Sequence, residues 1–417
     1  MLKRNRVVVT GMGVLAANGI GLDLFWESLL AGRSGIGPIT LFDASKFKGR
    51  VAGEVKNFDP NEYIEPKLKP RRMARHTQLS YAAALFALKD AGLDSPTVTL
   101  PTPTPVIIGV STSALDVIEK VFHQVNGPGP DRVSPSALSA SKPQAPANLI
   151  ADRLGRYANA VTVSSACPSG LDAIALAAGL IRNGDAELAV AGGADAPITP
   201  LAAASFLASG LTTHSNGSPA TASRPFDLER QSGVLAEGAG VLILENLESA
   251  QARSAKNYME ILGFSAQRDL NPEEPGSGLI DSMKLALANA DCRPSDIDWV
   301  CAYGPGDPYL DAAEVRFIRC VFGPQADSMP ITSIKAVTGN PLAAGGPFQL
   351  ISCALSLRDQ MLAPTANYQT KDPECDIDVV PNRPRKARLN RALINVRGLG
   401  GSASSMVVGL TLSPTSP

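Results

Sequence analysis

Short runs of β-branched residues alternate with alanine-rich stretches along most of the 417 residues. A β-branched run between turn residues predicts a strand, whereas a long alanine-rich stretch predicts a helix. Their alternation predicts an α/β fold with mixed sheets that carry helices on their faces. The predicted strands are Arg6–Thr10, Pro105–Val110, Ala160–Ser164, Leu188–Ala191, Gly240–Leu244, Tyr258–Ser265, Trp299–Ala302, Ile331–Ile334, Ala392–Val396 and Ser405–Leu412. The predicted helices are Asp23–Ala31, Ser80–Ala91, Gly170–Asn183, Gly278–Ala290, Asp311–Val321 and Pro347–Gln360.

The order of these elements before Ser254 recurs in outline after it. Such an echo favours a duplicated α/β core. The polar, Pro- and Gly-rich stretch 267–278 predicts a loop. We therefore expect two halves, residues 1–253 and residues 254–417, with Cys167 in the first.

The charge and hydropathy of the chain exclude several classes of partner. A formal net charge of −1 provides no general attraction to nucleic acid or to anionic membranes. The apolar run near the N-terminus is too short for a signal peptide core, and no run approaches the roughly 20 apolar residues of a membrane helix. We expect a cytoplasmic protein that binds neither nucleic acid nor membrane.

Six cysteines show no CxxC or other metal-ligand spacing, so no metal site is expected. Five of them are predicted to be buried, reduced thiols, namely Cys292, Cys301, Cys320, Cys353 and Cys375.

Cys167 lies in a different context, the segment VTVSSACPSGLDAIALAAGLI at 161–181. A β-branched run ends in small residues, and a helix opens after Pro168. The N-terminus of that helix favours a thiolate and directs free backbone N–H groups to the place where an oxyanion could lie. The segment predicts a nucleophile on a strand-to-helix turn, with a buried structural cysteine as the alternative.

Five segments carry a wider resemblance: RVVVTGMGVLAANG at 6–19, SSACPSG at 164–170, AVAGGADA at 189–196, ASRPFDLERQSGVLAEGAGVLILE at 222–245 and ITSIKAVTGN at 331–340. In this order the chain resembles the elongating β-ketoacyl-ACP synthases over nearly its whole length. The resemblance implies a thiolase-type duplicated αβαβα five-layer core with mixed sheets, normally dimeric. It also implies no cofactor, because the substrates are carried on the phosphopantetheine arm of an acyl carrier protein.

This family uses two histidines to bind the malonyl thioester carbonyl and to stabilise the enolate formed on decarboxylation. Here Tyr303 stands at the first histidine position, in CAYGPGDPYLDAAE, and Asn340 at the second, in KAVTGNPLAAGG. Lys335 and Glu314 match the family, which supports the register. The only histidines are His76, His123 and His214, all predicted to lie on the surface or in loops.

The substitutions limit the chemistry that the chain can perform alone. Tyr303 and Asn340 can donate hydrogen bonds, but neither delivers a proton near neutral pH as histidine does. Loss of one oxyanion donor typically costs about 10²–10³ in rate. We therefore expect decarboxylative condensation by this chain alone to be very slow.

The segment NVRGLGGSASSMVV at 395–408 stands where catalytic members carry a motif like N-S-F-G-F-G-G, which places Leu399 at the oxyanion-hole and gate position. This form is similar to the chain length factor, the non-condensing β subunit of type II polyketide ketosynthases. The resemblance implies a heterodimer with a catalytic ketosynthase, in which this chain shapes the polyketide tunnel. Cys167 departs from the pattern, because the best-known chain length factors replace it.

Two surfaces follow from the resemblance. In the helix after Gly109, Leu115, Ile118 and Phe122 share one face and would line the tunnel, although ordinary packing explains the same pattern. The basic stretch 67–76 contains Arg71 and Arg72, which would dock the acidic carrier protein unless they form a solvated basic face.

An enzymatic alternative remains open. Cys167 could support an acyltransferase, or a non-decarboxylative ketosynthase-like enzyme acting on acyl-ACP thioesters, because self-acylation needs a thiolate and an oxyanion hole rather than the histidines. A malonyl-ACP decarboxylase ranks lower, because it should need the lost histidines.

Overall fold

The computed structural model describes residues 4–95, 100–101, 103–155, 158–270 and 274–411. The strands are β1 Val7–Ala16, β2 Gly19–Ile20, β3 Gly37–Pro38, β4 Val51–Ala52, β5 Thr104–Gly109, β6 Ala158–Val163, β7 Leu188–Asp195, β8 Gly238–Asn246, β9 Met259–Arg268, β10 Trp299–Cys301, β11 Ile331–Thr332, β12 Met361–Leu362, β13 Arg385–Lys386, β14 Arg391–Arg397 and β15 Ser402–Gly409. The α-helices are α1 Leu22–Leu30, α2 Pro60–Tyr63, α3 Arg75–Asp90, α4 Leu115–Asn126, α5 Ala137–Ala140, α6 Ala145–Leu154, α7 Ser169–Asn183, α8 Pro200–Ala208, α9 Leu247–Ala252, α10 Gly278–Asn289, α11 Pro308–Phe322, α12 Lys335–Thr338 and α13 Gly345–Asp359.

Two sets of five strands have the same topology. The first set has the spatial order β6-β5-β7-β8-β1, and the second has the order β11-β10-β14-β15-β9. In each set the first three strands are parallel and the last two join antiparallel. The sets meet where Val7–Val9 pairs antiparallel with Met259–Ile261. The matching order confirms the predicted duplicated α/β core.

The helices complete five layers. Helices α3 and α6 cover the outer face of the first set of strands, and α10, backed by α11, covers that of the second. Helices α7 and α13 pack against each other between the two sets, and the residues that α13 buries extend along its whole length. The central pair places the first turn of α7, next to Cys167, at the contact between the two halves.

Backbone packing is closest beside this turn. A Cβ atom at Gly170 would lie 2.1 Å from the carbonyl oxygen of Ala343, and one at Gly193 would lie 2.3 Å from the same atom. Only glycine permits such an approach. The start of α7, the end of β7 and the residues before α13 are thereby held together around the site.

Each predicted strand and helix is present with shifted ends, although Leu412 lies outside the described residues. Two expectations about side chains were wrong. His76 is fully buried in α3 rather than exposed, whereas His123 and His214 are exposed as predicted. Cys320 is exposed and Cys292 half-buried, because the helix α11 and the loop after α10 turn them away from the core.

Within the described residues, no helix is long and apolar enough to cross a membrane.

Candidate active site

A strained turn presents Cys167 ahead of helix α7. Ala166 adopts φ +65°, a left-handed conformation that L-residues rarely occupy. Pro168 precedes the first residue of the helix, Ser169, whose hydroxyl donates to the carbonyl oxygen of Ala166 at 2.5 Å. Strained backbone of this kind recurs at functional sites. The structure therefore confirms the predicted strand-to-helix turn.

The second half of the chain supports this turn through hydroxyl groups. Asp172 accepts hydrogen bonds from the hydroxyls of Ser165 and Ser404, the latter at 2.6 Å. Ser402 Oγ donates to the carbonyl oxygen of Ser165 at 3.0 Å. Because both Ser402 and Ser404 belong to β15, the position of the nucleophile depends on the packing of the two halves.

The thiol of Cys167 does not have the low pKa that its place near a helix N-terminus suggested. The residue is 6% exposed, and burial raises the pKa of its thiol. The hydrogen bond from Tyr303 and the charge of Lys335 lower this pKa, whereas the charge of Asp195 raises it further. The prediction of a favoured thiolate was therefore wrong for the isolated chain, because burial outweighs the hydrogen bond from Tyr303 and the charge of Lys335.

Tyr303 and Asn340 form a chain of hydrogen bonds that ends at the nucleophile. The Tyr303 hydroxyl donates to Cys167 Sγ at 3.7 Å, and Asn340 Nδ2 donates to the Tyr303 hydroxyl oxygen at 3.4 Å. Burial, followed by the neighbouring Cys167, raises the pKa of Tyr303 well above its usual 10. The phenol is therefore a neutral hydrogen-bond donor and cannot remove the thiol proton.

Two buried ionisable residues hold the Tyr303 segment in place. Lys335 Nζ donates to the Tyr303 carbonyl oxygen at 2.6 Å and lies 4.5 Å from the centre of the ring. Glu314 accepts from the backbone N–H groups of Tyr303 and Gly304, each at 2.9 Å. Burial lowers the pKa of Lys335 and raises that of Glu314. Lys335 and Glu314, which match the resembled family, thus hold the backbone of the segment in which Tyr303 replaces histidine.

A cavity of about 230 Å³ opens at Cys167 and contains every predicted residue of the centre except Lys335, which lies behind Tyr303. Tyr303 and Asn340 form part of its wall, and Leu399 lies at its rim with 60% of its surface exposed. The other lining residues are mostly apolar and include Phe206, Leu211, Val234, Leu235, Leu310 and Leu342. The cavity therefore suits an acyl chain.

The predicted tunnel and docking residues lie elsewhere on the surface. No residue of α4 is buried, and Leu115, Ile118 and Phe122 do not line the cavity of Cys167. Phe122 is 65% exposed. Arg71 and Arg72 are both exposed on the short 3-10 helix Pro70–Arg72. Their roles stay predictions.

Sequence reasoning missed three charged residues of the site, Arg397, Asp269 and Asp307. Arg397 and Asp269 both line the cavity, and the distance from Arg397 Nη2 to Asp269 Oδ2 is 3.8 Å. The signal for Arg397 was available, since arginine occupies the place of the first phenylalanine in the motif around Leu399. Asp269 follows β9 in a loop whose sequence gave no sign of its position. Among the described residues, no group of three or more His, Cys, Asp or Glu side chains could hold a metal ion.

Comparison with known proteins defines the class of this fold and site. Residues 4–250 match the N-terminal domain of the beta-ketoacyl synthase family, and residues 258–369 match its C-terminal domain. The chain therefore belongs to the beta-ketoacyl synthase family.

Individual relatives match almost end to end. The chain is 38% identical over 413 residues to 3-oxoacyl-[acyl-carrier-protein] synthase 2 of Staphylococcus aureus (strain COL), covering 98% of this chain and 99% of the relative. It is 36% identical over 418 residues to the tetracenomycin polyketide synthase ketoacyl synthase alpha subunit of Streptomyces glaucescens, covering 97% and 96%.

Solved structures have the same fold. The ishigamide ketosynthase/chain length factor superposes with a TM-score of 0.90 at 32% identity, covering 98% of this chain and 100% of that chain. A chain of AntDE:AntF, a type II polyketide synthase acyl carrier protein in complex with its ketosynthase bound to the hexaketide, gives 0.89 at 30% identity with the same coverage. The thiolase-type fold is thus confirmed.

Proposed function

We propose that this chain is a condensation-deficient, chain-length-factor-like subunit of a type II polyketide synthase. It pairs with a catalytic ketosynthase, shapes the polyketide tunnel and acts in the cytoplasm. The observation that carries the proposal is the hydrogen-bonded chain from Asn340 through Tyr303 to Cys167. Tyrosine and asparagine stand where the condensing reaction needs histidines, while Lys335 and Glu314 keep the surrounding frame.

The chemistry of decarboxylative condensation explains why this chain needs a partner. Loss of carbon dioxide from a malonyl thioester leaves an enolate, which the enzyme must stabilise at its oxygen. Tyr303 directs its hydroxyl at the thiol, and Asn340 donates one N–H of its amide to that hydroxyl, so at most one amide N–H remains where the condensing enzymes have two histidines. Loss of each oxyanion donor costs about 10²–10³ in rate.

The surface of α4 supports a paired arrangement. Ile118 and Phe122 are 44% and 65% exposed in the single chain. Large apolar side chains exposed on one helix are typical of a protein interface. The structural relatives include a ketosynthase/chain length factor and a complex of a ketosynthase with its acyl carrier protein. We assign the face of α4 to the ketosynthase partner, and Arg71 with Arg72 to the carrier protein and its phosphopantetheine arm.

The test measures condensation and association separately. The purified chain is incubated with acyl-ACP and malonyl-ACP, and β-ketoacyl product is measured by mass spectrometry. We expect product only after a ketosynthase with an intact Cys-His-His set is added, and we expect that ketosynthase to co-purify with the tagged chain at one-to-one stoichiometry. The double variant Tyr303→His, Asn340→His should gain activity alone. Condensation by the wild-type chain alone, at the rate of an intact ketosynthase, would overturn the proposal.

A second function rests on Cys167 itself, which the proposed subunit role does not require. The thiol lines a cavity large enough for an acyl chain and receives a hydrogen bond from Tyr303. An acyltransferase, or a non-decarboxylative ketosynthase-like enzyme acting on acyl-ACP thioesters, would use these features directly. Intact-protein mass after incubation with acyl-ACP tests this function. A stable adduct that Cys167→Ala abolishes would favour it over the subunit role.

A further inference from the structure

Arg397 places a guanidinium group in the wall of the Cys167 cavity. The residue ends β14, and its side chain is only 12% exposed. Its Nη1 atom is buried and has no hydrogen-bond partner among the residues that the structure describes. An enclosed cationic donor without a partner is costly, so such a group calls for a ligand.

The nearest carboxylate leaves much of this donor capacity unused. Asp269 Oδ2 lies 3.8 Å from Arg397 Nη2, which is beyond hydrogen-bonding distance. Asp269 instead accepts from the backbone N–H groups of Gly276 and Gly278, at 2.6 Å and 3.0 Å. Asp307, also in the wall, accepts from two backbone N–H groups at the start of α11. Both carboxylates therefore have backbone hydrogen-bond partners, and Asp269 also forms a long ion pair with Arg397 Nη2, so Nη1 is the donor that the described residues leave without a partner.

The surrounding backbone leaves room for the guanidinium. Gly276 has φ +99°, and a Cβ atom there would lie 2.8 Å from Arg397 Cζ. The next residue, Gly398, packs on the nucleophile turn, because a Cβ atom there would lie 2.7 Å from Pro168 Cδ. The guanidinium is thereby held beside the turn that carries Cys167.

We propose that Arg397 is a specificity-determining residue for acyl thioesters that carry a carboxylate. The guanidinium binds the carboxylate while the thioester carbon lies at Cys167. Arginine and a carboxylate form two parallel charge-assisted hydrogen bonds, which makes this pairing stronger than one with a neutral acyl group. The phosphate of a carrier arm is not the anion in question, because it lies a full arm length from the thioester. This inference rests on one part of the proposed function, namely that acyl thioesters enter the cavity of Cys167.

Two alkylating reagents of similar size test the charge preference. Iodoacetate carries a carboxylate and iodoacetamide a neutral amide, and the Cys167 sulfur displaces iodide from either. Peptide mass spectrometry gives the rate ratio of iodoacetate to iodoacetamide at Cys167, with N-acetylcysteine as the reference thiol. We expect the ratio at Cys167 to be about tenfold above the reference, as for one hydrogen bond to a charged group. A ratio equal to or below the reference overturns the proposal without any variant.

Variants assign the preference to Arg397. Arg397→Gln should lower the ratio to that of N-acetylcysteine, and Arg397→Lys should give an intermediate ratio, because the charge remains but the two parallel hydrogen bonds are lost. The exposed Cys320 is the matched control in the same protein, and its ratio should not change. An unchanged ratio at Cys167 in a folded Arg397→Gln protein would reject Arg397 as the receptor. If that variant does not fold, the wild-type and Arg397→Lys ratios still decide the result.

A second measurement uses ligands closer to the proposed substrate. Succinyl- and butyryl-pantetheine thioesters have acyl chains of equal length and differ in the terminal carboxylate. The succinyl thioester should protect Cys167 from iodoacetamide at about tenfold lower concentration than the butyryl thioester, and Arg397→Gln should remove the difference. Equal protection overturns the proposal. Neither assay needs the ketosynthase partner, so failure here is distinguishable from failure of the proposed function.

Discussion

The buried histidine of α3 makes the stability of this protein sensitive to acid. His76 is fully buried, and within the described part of the chain neither ring nitrogen has a hydrogen-bond partner. Burial lowers its pKa from 6.5 to about 4. The unfolded chain therefore binds a proton between these two values that the folded chain excludes. Stability is present above pH 6.5 and is lost as the pH falls toward 4.

The size of the effect follows from this shift. Each unit of pKa difference corresponds to about 1.4 kcal/mol, so the full loss below pH 4 is about 3.4 kcal/mol. At pH 5 the same shift costs about 2 kcal/mol relative to pH 7.5. His76→Leu removes the titrating group and two unpartnered polar atoms while keeping an apolar side chain in the core. The variant should therefore lose about 2 kcal/mol less stability between pH 7.5 and pH 5.

Urea denaturation of both proteins at the two pH values measures this difference. For each protein, the informative quantity is the change in the free energy of unfolding between pH 7.5 and pH 5. A cavity or overpacking in the variant contributes equally at both pH values and cancels. NMR of histidine-labelled protein gives an independent measurement, since the chain has three histidines and variants identify each signal. The His76 signal should remain that of a neutral ring down to pH 5. Equal acid sensitivity of the two proteins, or titration of His76 near pH 6.5, would refute the reasoning.

Three further substitutions probe the site and the surface. Tyr303→Phe removes the donor to Cys167, so alkylation of that thiol by iodoacetamide at pH 8 should slow about tenfold, and an unchanged rate would count against the hydrogen bond. Gly398→Ala inserts a methyl group against the nucleophile turn and should cost about 1–3 kcal/mol in thermal denaturation, whereas Gly179→Ala, in open space within α7, should stabilise the protein by about 0.5–1 kcal/mol. Phe122→Ala should lengthen the product of the reconstituted synthase without destabilising this exposed site, and an unchanged product would reject its place in the tunnel.

The fold was predictable because local signals repeat along the chain. The turn at Cys167 combines a β-branched run, small residues and a helix start, and the structure places these elements as the pattern indicates. The changes at Tyr303 and Asn340 were visible because neighbouring residues fix the register. The hydrogen bonds that join both side chains to the thiol depend on contacts between residues 136 and 37 positions apart, which no local pattern encodes.

Burial and electrostatics were the parts that the sequence misjudged. His76 follows a run of basic residues, which suggested an exposed segment, yet α3 begins at Arg75 and carries the next residues into the core. The low pKa predicted for Cys167 considered the helix and not the desolvation of the thiol. Both errors have one cause, because burial is set by the side chains that other parts of the chain pack over a residue, and for Cys167 that burial also sets the pKa.

The raised pKa of Cys167 also bears on why a subunit without histidines would keep its cysteine. A thiol that stays protonated is a weak nucleophile, so the isolated chain should acylate slowly whatever the shape of its cavity. Tyr303 supplies a donor but no base, and Lys335 is committed to the Tyr303 carbonyl oxygen. Faster acylation would require an added charge or base near the thiol. The site is thus better suited to holding an acyl group than to turning it over.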